Sequence, residues 1–312
     1  MYKKISLILS LLVLITALSS CASYQQNYID SPGMSYNYDE IKDPHYDVIE
    51  NIIYTPEDWP KALASDLYLP RKLPSKVKAW PVVLMVHGGG WSNRDRTDMN
   101  FISGKLAEHG YAVLNVEYRL VPQFLYPAPV QDLQMALRWI QNNAAKYQFD
   151  LNKLNAWGFS SGAHLVTLVA GVTPGEAQTL NLSPPLPKIH SVVAEGTPAD
   201  LSVYNNSPII VPFLGAKRDE NPQLYRESSP ITHVSPEDPP VFLYHGKRDQ
   251  LVEKEQSINY YNALRKAGVP AELYLHPLWG HISMFIFGRD AENKAIAFYN
   301  HYNGRALTEP SK

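Results

Sequence analysis

The sequence predicts an α/β fold with a mostly parallel, eight-stranded sheet, helices on both faces and a small lid insertion. Eight short segments, the first beginning near residue 46, are apolar or rich in β-branched residues, as strands are. Segments with helical spacing lie between several of them. Strands that alternate with helices are joined by right-handed crossovers into a parallel sheet. With 312 residues, 45% of them apolar, the chain is long enough for one such domain.

The predicted strands follow one another along the whole domain. They lie at 48–54, 66–69, 81–87, 111–118, 153–159, 189–194, 241–244 and 271–275. Several of them, 81–87 above all, are continuous apolar runs, which suit strands covered on both faces. Helices are predicted at 129–147, 162–171, 258–267 and 292–302. The first of these has an apolar stripe at helical spacing and a proline, Pro129, at its start.

One segment interrupts this alternation. Residues 196–238 are rich in Pro, Asn and Ser and contain only short apolar pieces. We therefore expect a lid or pocket wall over the edge of the sheet, within a single domain that spans 46–302. Residues 303–312 are predicted to be a C-terminal tail.

The first 45 residues have a different composition. Lys3 and Lys4 precede an apolar stretch at 5–18, which predicts an export signal over 1–20 because the stretch is short for a membrane span. Cys21 follows at the cleavage position, and this arrangement resembles the bacterial lipoprotein signal, in which the cysteine carries the lipid. The resemblance implies an exported protein held on the outer membrane, facing the periplasm or the cell surface. A plain secretory signal that happens to end in cysteine is the alternative. Residues 21–45 lack apolar periodicity and are predicted to be a tether.

Charge and cysteine content exclude two classes of chemistry. The formal net charge is −2, and no basic run is present, so nothing supports nucleic-acid binding. The single cysteine is Cys21, so the chain after it can form no disulfide and cannot use a thiol nucleophile.

A serine lies between two glycines directly after the fifth predicted strand. The stretch Gly158-Phe159-Ser160-Ser161-Gly162 joins this strand to a predicted helix. A turn this sharp leaves no room for side chains two residues on either side of the serine, which explains Gly158 and Gly162. It lifts the Ser160 hydroxyl above the sheet and places it at a helix N-terminus, where negative charge is stabilised.

A serine hydroxyl needs a base, and the base needs an orienting carboxylate. In this architecture the chain order is serine, acid, histidine. Asp249 follows the seventh predicted strand and His281 follows the eighth, which predicts a Ser160–His281–Asp249 triad. His164 and His276 are expected to have structural roles. Four residues in or beside the insertion are candidates either for pocket lining or for capping and solvation: Glu195, Asp200, His233 and Asp238.

Acyl transfer also needs N–H donors for the oxyanion. His87-Gly88-Gly89-Gly90-Trp91 follows the third strand, and three consecutive glycines let backbone N–H groups turn into a cavity. A flexible turn or a phosphate loop is the alternative, but the spacing of a phosphate loop is absent. The predicted donors are the amides of Gly88, Gly89 and Ser161.

These motifs resemble those of one superfamily. HGGGW, GFSSGAHL, YHGKRDQLV and LWGHISMF, in this order, are similar to the motifs of the α/β-hydrolases that carry an HGGG oxyanion loop. They resemble most the feruloyl/acetyl esterase and kynurenine-formamidase-like group. The resemblance implies an α/β-hydrolase fold with Ser160 as nucleophile, His281 as general base and acid, and Asp249 as its orienter. It implies the oxyanion donors Gly88, Gly89 and Ser161.

The expected activity is hydrolysis of small acyl or aromatic-acyl esters through an acyl-enzyme, with no cofactor or metal. Trp91, Trp279 and Phe285 are predicted to line the substrate pocket. A small-molecule ester is the expected partner, with acylated glycan fragments as one source, besides the membrane that holds the lipid. Two alternatives are an amide hydrolase of the arylformamidase or peptidase type, and a non-catalytic binding lipoprotein. The natural substrate and the oligomeric state are not predicted.

Overall fold

The computed structural model describes residues 28–29, 45–73, 78–172, 175–176 and 178–304. The strands are β1 (Tyr28–Ile29), β2 (Tyr46–Ile53), β3 (Ala64–Pro70), β4 (Trp80–Val86), β5 (Ala112–Val116), β6 (Phe149–Phe159), β7 (Ser191–Glu195), β8 (Val241–Gly246) and β9 (Ala271–His276). The helices are α1 (Asn100–Glu108), α2 (Ala128–Tyr147), α3 (Ser161–Gly171), α4 (Ile210–Leu214), α5 (Pro222–Glu227), α6 (Glu255–Lys266), α7 (His281–Phe287) and α8 (Arg289–Tyr302).

The described strands form one sheet in the order β1-β9-β8-β7-β6-β4-β5-β3-β2. Strands β4 to β9 are mutually parallel, whereas β1, β2 and β3 pair antiparallel with their neighbours. The predicted α/β fold with a mostly parallel sheet is therefore confirmed. In such sheets, ligands bind beyond the carboxyl ends of the parallel strands.

Burial on both faces explains the continuous apolar runs. All seven residues of β4 are buried. Val82, Leu84 and Val86 belong to the core layer on one face of the sheet, and Val83 and Met85 to the layer on the other. The alternation follows from the two-residue period of a strand, which turns successive side chains to opposite faces. A rigid, doubly covered sheet thus supports the loops at its carboxyl edge.

The eight predicted strands and four predicted helices are present with shifted boundaries. The structure adds a ninth strand, β1, inside the segment predicted to be a tether; β1 pairs with β9. It also adds four helices, which are α1, α4, α5 and α7. The sequence of α7, HISMFIF, is rich in β-branched and aromatic residues and gives no strong helical signal. Asn303, the first residue of the predicted tail, is buried, and its side-chain amide donates to Oδ1 of Asn155.

The segment 196–238 contains α4 and α5. Phe213 of α4 stacks on Trp91 with ring centroids 4.3 Å apart, so the segment packs against the glycine loop. Among the helices that the structure describes, none has the length and apolar composition of a membrane-spanning segment. The predicted signal at 1–20, Cys21 and the residues after 304 lie outside the described residues.

Candidate active site

The turn between β6 and α3 holds Ser160 in a strained backbone conformation. Its φ of 52° and ψ of −118° lie in a region that residues with a side chain rarely adopt. Its backbone N–H donates to the carbonyl oxygen of Glu195 at 2.8 Å, which ties the turn to the end of β7. The hydroxyl is thereby presented at the carboxyl edge of the sheet.

Gly158 and Gly162 are required by close backbone contacts. A Cβ on Gly158 would lie 2.4 Å from the carbonyl group of Gly162. A Cβ on Gly162 would lie 2.3 Å from the carbonyl oxygen of Val86. Both distances are far below van der Waals contact, so the turn closes only with glycine at both positions. The steric reason given by the sequence for the two glycines matches this geometry.

Three side chains, each after the carboxyl end of a different parallel strand, meet at this edge. The Oγ atom of Ser160 lies 2.8 Å from Nε2 of His281, and Nδ1 of His281 lies 2.6 Å from Oδ2 of Asp249. Ser160 is 8% exposed and His281 is 7% exposed, so the hydrogen bonds are shielded from bulk water. The geometry is that of a serine paired with a base and an orienting carboxylate.

The carboxylate of Asp249 is fully paired. Oδ1 accepts the backbone N–H groups of Leu251 and Val252, each at 2.9 Å. Oδ2 lies 2.6 Å from His281 and 3.0 Å from Nε2 of His245. Burial raises the pKa of Asp249, but the hydrogen bonds from His245 and His281 outweigh it and hold that pKa well below its usual range. Asp249 is therefore ionised at neutral pH.

His245 is a member of this cluster that the sequence prediction missed. The imidazole is completely buried, and its Nδ1 lies 2.8 Å from the hydroxyl of Ser257. Its Nε2 lies 2.9 Å from the carbonyl oxygen of Val252 as well as 3.0 Å from Asp249. If Nδ1 accepts from Ser257, Nε2–H is the donor to both oxygens. The signal for it was its place in HGKRD, four residues before Asp249.

The backbone around the triad leaves little free space. Gly196 has φ +57°, and a Cβ there would lie 2.9 Å from Cε1 of His281. This glycine was not singled out from the sequence, because its contact with the imidazole depends on the tertiary fold. It allows the ring of His281 to lie against the end of β7.

The glycine loop and the start of α3 meet beside Ser160. A Cβ on Gly88 would lie 2.7 Å from the ring of Phe159, and Gly89 has φ +120°. Gly88, Gly89 and Ser161 all line the same cavity as Ser160. Ser161 is the first residue of α3, where backbone N–H groups have no acceptor within the helix and the helix dipole favours negative charge.

A buried pair lies behind these amides. The ring of His87 stacks on that of Tyr118 with centroids 4.4 Å apart. The Tyr118 hydroxyl donates to the carbonyl oxygen of His87 at 3.2 Å and lies 3.3 Å from Oγ of Ser161. Tyr118 therefore connects the glycine loop to the start of α3. Burial lowers the pKa of His87 to about 4, so its imidazole is neutral at pH 7.

A cavity of about 580 Å³ opens at this edge. Ser160 and His281 line it, and so do two of the three aromatic residues predicted for the pocket, Trp91 and Phe285. Trp279 does not line it, and this prediction was wrong. Its ring instead stacks on His276, with centroids 5.1 Å apart and planes within 8°. The apolar part of the lining is large and includes Phe159, Ile209, Ile210, Val252, Ile282 and Ile286.

The other polar candidates have structural contacts and do not line the cavity. His164 is buried, and its Nε2 lies 2.7 Å from the carbonyl oxygen of Ser228. Glu195 accepts the hydroxyl of Tyr244, and Asp200 accepts the N–H of Ser202 at the start of a short helix. His233 pairs with Glu176 and Asp238 accepts from Ser235. Within the described ranges, no cluster of three His, Asp, Glu or Cys side chains could hold a metal ion.

Comparison with known proteins places this geometry in a family. Residues 65–264, well over half of the chain, match the BD-FAE family. The chain belongs to the BD-FAE family. This is the feruloyl/acetyl esterase group that the motifs resemble, and the matched range includes Ser160 and Asp249 but ends before His281.

Two relatives from Mycobacterium tuberculosis are similar over part of their length. Esterase LipQ is 31% identical over 205 residues, which cover 62% of this chain and 48% of that protein. Esterase LipC is 27% identical over 230 residues, which cover 69% of this chain and 56% of that protein. This BD-FAE chain thus spans about half the length of these relatives.

Solved structures share the fold over most of the chain. A truncated carbohydrate esterase from gut microbiota superposes with a TM-score of 0.73 at 24% identity, covering 85% of this chain and 99% of that one. Esterase Est2 of the planctomycete Thermogutta terrifontis superposes with a TM-score of 0.71 at 20% identity, covering 84% and 95%. The BD-FAE chain therefore has the α/β-hydrolase fold.

Proposed function

We propose that this chain hydrolyses carboxylic esters through an acyl-enzyme formed on Ser160. The observation that carries the proposal is the unbroken series of hydrogen bonds from the Ser160 hydroxyl through His281 to the ionised Asp249. The fold itself does not require a strained serine at a strand-to-helix turn to face a buried base. It is the arrangement that activates a hydroxyl for attack on a carbonyl carbon.

In the proposed reaction, Oγ of Ser160 attacks the ester carbonyl carbon while Nε2 of His281 takes the hydroxyl proton. The carbonyl oxygen gains the negative charge and accepts hydrogen bonds from the amides of Gly88, Gly89 and Ser161. The tetrahedral intermediate collapses, the C–O bond to the alcohol breaks, and His281 returns the proton to the leaving oxygen. A water molecule then repeats the sequence on the acyl-enzyme and releases the acid and Ser160.

Asp249 acts through His281 in this scheme. Its carboxylate holds Nδ1–H, which keeps Nε2 free to accept the serine proton, and it stabilises the imidazolium that forms. The low pKa of Asp249 supports this role because a carboxyl that stays ionised takes no proton from His281.

The proposed substrates are small acyl or aromatic-acyl esters. The cavity of about 580 Å³ is within the usual range of about 300–1,000 Å³ for small-molecule sites. Its apolar lining, with Phe285 stacked on Phe159 at 4.3 Å, favours an apolar or aromatic acyl group. Membership in the BD-FAE family supports acetyl or feruloyl groups on glycan fragments as the natural esters.

The test is hydrolysis of p-nitrophenyl acetate, butyrate and octanoate, methyl ferulate and N-formylkynurenine by the purified chain from Cys21 onward. We expect ester turnover that disappears in Ser160→Ala and persists in a matched Ser235→Ala variant, whose hydroxyl lies outside the cavity. Ester turnover that survives Ser160→Ala would contradict the nucleophile. Turnover of N-formylkynurenine alone would replace the esterase with an amide hydrolase.

We further propose export and lipid attachment at Cys21. The support is the sequence alone: two lysines, an apolar stretch at 5–18 and a cysteine at the cleavage position. Acyl chains contribute about 0.8 kcal/mol per buried CH₂, so two or more hold a protein stably on a membrane. Cys21→Ser should move the protein from the membrane fraction to the soluble fraction. Retention of the variant in the membrane fraction would refute the lipid anchor.

A further inference from the structure

The register of β1 fixes the end of the sheet from which the chain enters the fold. β1 is antiparallel to β9, with Tyr28 opposite Tyr274 and Ile29 opposite Leu273. Tyr28 is therefore closer than Ile29 to the carboxyl end of β9. The chain that precedes Tyr28 joins the folded body at the carboxyl end of the parallel strands, which is the end that carries Ser160 and His281.

The connection from this entry point to Cys21 has few residues. Residues 22–27 are the six that separate Cys21 from Tyr28. A fully extended chain covers at most about 3.6 Å per residue, so a connection of this length can span no more than about 25 Å. A lipid on Cys21 would hold the catalytic end of the molecule, rather than the opposite end, at the membrane surface.

The same end of the molecule exposes large apolar side chains. Five of them form what we call the apolar rim, each more than half exposed: Leu251, Leu278, Ile282, Ile286 and Phe287. All five follow the carboxyl ends of β8 and β9 in the chain. Exposed apolar side chains that cluster in this way mark surfaces that bind proteins or membranes.

The rim is continuous with the mouth of the cavity. Leu251, Ile282 and Ile286 line the cavity as well as being exposed. Phe287 contacts Trp279, with ring centroids 5.5 Å apart, and Leu278 precedes Trp279 in the chain. Whatever covers the rim therefore also borders the entrance to Ser160.

We propose that the apolar rim rests on the lipid bilayer to which Cys21 is attached, so that the cavity opens at the membrane surface and takes its ester substrate from there. The short connection to Cys21 selects the bilayer over a second copy of the chain or a protein partner. The proposal rests on the proposed esterase and on lipid attachment. Because the contact is apolar, salt should weaken it little.

The first test measures which surface lies on the membrane. The chain from Cys21 onward contains every described residue, and its only cysteine can be coupled to a maleimide lipid in phosphatidylcholine vesicles. Amide hydrogen exchange is then compared between the tethered and the free protein. We expect slower exchange over 277–288 and unchanged exchange over β2, at the far edge of the sheet. The proposal would be overturned if tethering left exchange unchanged over 277–288 as well as over β2. It would also be overturned if 277–288 were protected only when the tethered molecules are dense enough to pair.

The second test separates membrane contact from catalysis. Leu278→Ser/Phe287→Ser changes two rim residues that do not line the cavity. Val48→Ser/Ile49→Ser is the matched control, because those side chains are also exposed but lie on β2. Full burial of one large apolar side chain strengthens a binding constant by about tenfold. For untethered protein, we therefore expect the rim variant to bind vesicles and hydrolyse a vesicle-embedded ester about 10–100-fold less well.

The two proposals fail in different ways. If the esterase proposal is right, both double variants should hydrolyse soluble p-nitrophenyl acetate within about twofold of the unaltered chain. Equal turnover of the embedded ester by the rim variant and the control would sink the membrane contact alone. If no protein, the unaltered chain included, hydrolysed the soluble ester, the esterase proposal would be the one that failed. Tethering through a maleimide keeps both tests independent of lipidation in the cell.

Discussion

Two carboxylates in this molecule are similarly buried but have very different hydrogen-bond partners. Asp249 accepts hydrogen bonds from two imidazoles and two backbone N–H groups. Asp132 is also inaccessible to solvent, and it accepts from the guanidinium and backbone N–H of Arg119 and from Nε1 of Trp59. Both are fully satisfied, as buried charges must be.

The difference lies in what the partners can do with a proton. A guanidinium does not exchange protons as an imidazole does, so the pair of Asp132 and Arg119 can only hold the loop after β5 against α2. An imidazole can accept a proton at one ring nitrogen and return it later, and Nε2 of His281 lies 2.8 Å from Oγ of Ser160. Burial with a permanent cation thus gives a scaffold, whereas burial with a titratable base gives a site.

The same substitution at both carboxylates tests this difference most strongly. Asp249→Asn should lower kcat for p-nitrophenyl acetate by about 10⁴-fold, the effect of the corresponding change in a serine protease, because the amide favours the wrong tautomer of His281. The free energy of unfolding, measured in urea, should change far less than kcat does. If kcat fell less than about tenfold, Asp249 would not be the orienting carboxylate.

Asp132→Asn should give the opposite result. It leaves the charge of Arg119 buried without a counter-charge, which costs about 3–5 kcal/mol of unfolding free energy. The kcat of the protein that remains folded, measured at low temperature, should stay within a few fold of the unaltered value. A large loss of kcat without loss of stability would contradict the structural role.

Acid should weaken the region beneath the proposed site. Burial lowers the pKa values of His87 and His164 to about 4. In the unfolded chain a histidine takes up a proton below about pH 6.5, whereas these two stay neutral in the fold until about pH 4. The contribution of these two histidines to the free energy of unfolding is therefore complete above about pH 6.5 and is lost as the pH falls toward 4. Between pH 7 and 4.5 each should cost about 2–3 kcal/mol of unfolding free energy.

Urea unfolding at the two pH values measures this loss, and His164→Gln provides the control. Glutamine can still donate to the carbonyl oxygen of Ser228 but cannot take a proton. The variant should lose about 2–3 kcal/mol less than the unaltered chain on acidification. An equal loss in both proteins would show that the acid sensitivity arises elsewhere.

The smallest expected effect concerns His245, which positions Asp249 and does not touch substrate. His245→Leu removes one donor to Oδ2, and a small displacement of catalytic groups can cost up to about 10²-fold. We expect kcat to fall about 10–100-fold with KM nearly unchanged. His245→Gln, which keeps an amide donor, should recover part of the loss. Equal losses in both variants, or a change confined to KM, would contradict a positioning role.

The sequence was informative where a local pattern decides the structure. Continuous apolar runs such as 81–87 predicted the buried strands, because burial on both faces demands apolar side chains throughout. Gly158 and Gly162 predicted the sharp turn for the steric reason found in the structure. Order along the chain was enough to select Asp249 and His281 from among the acidic residues and histidines.

The sequence failed where contacts between distant segments decide. β1 is two residues long and has no periodicity of its own, so only its pairing with β9 reveals it. Trp279 lies close to His281 in the chain, yet the turn directs its ring onto His276 and away from the cavity. The contact between the buried side chains of His245 and Asp249 depends on the turn that follows β8, and the four-residue spacing in HGKRD does not by itself show that the chain turns there.

The crowded glycines around Ser160 divide the site into a part that cannot change and a part that can. A methyl group at position 88, 158 or 162 would overlap a ring or a carbonyl group less than 3 Å away. Residues such as Ile209, Ile282 and Ile286 have their side chains partly in solvent and can be enlarged, shortened or made polar without disturbing the fold. Evolution within this lineage, or directed evolution in the laboratory, would therefore alter substrate preference at these positions while the reaction itself stays fixed.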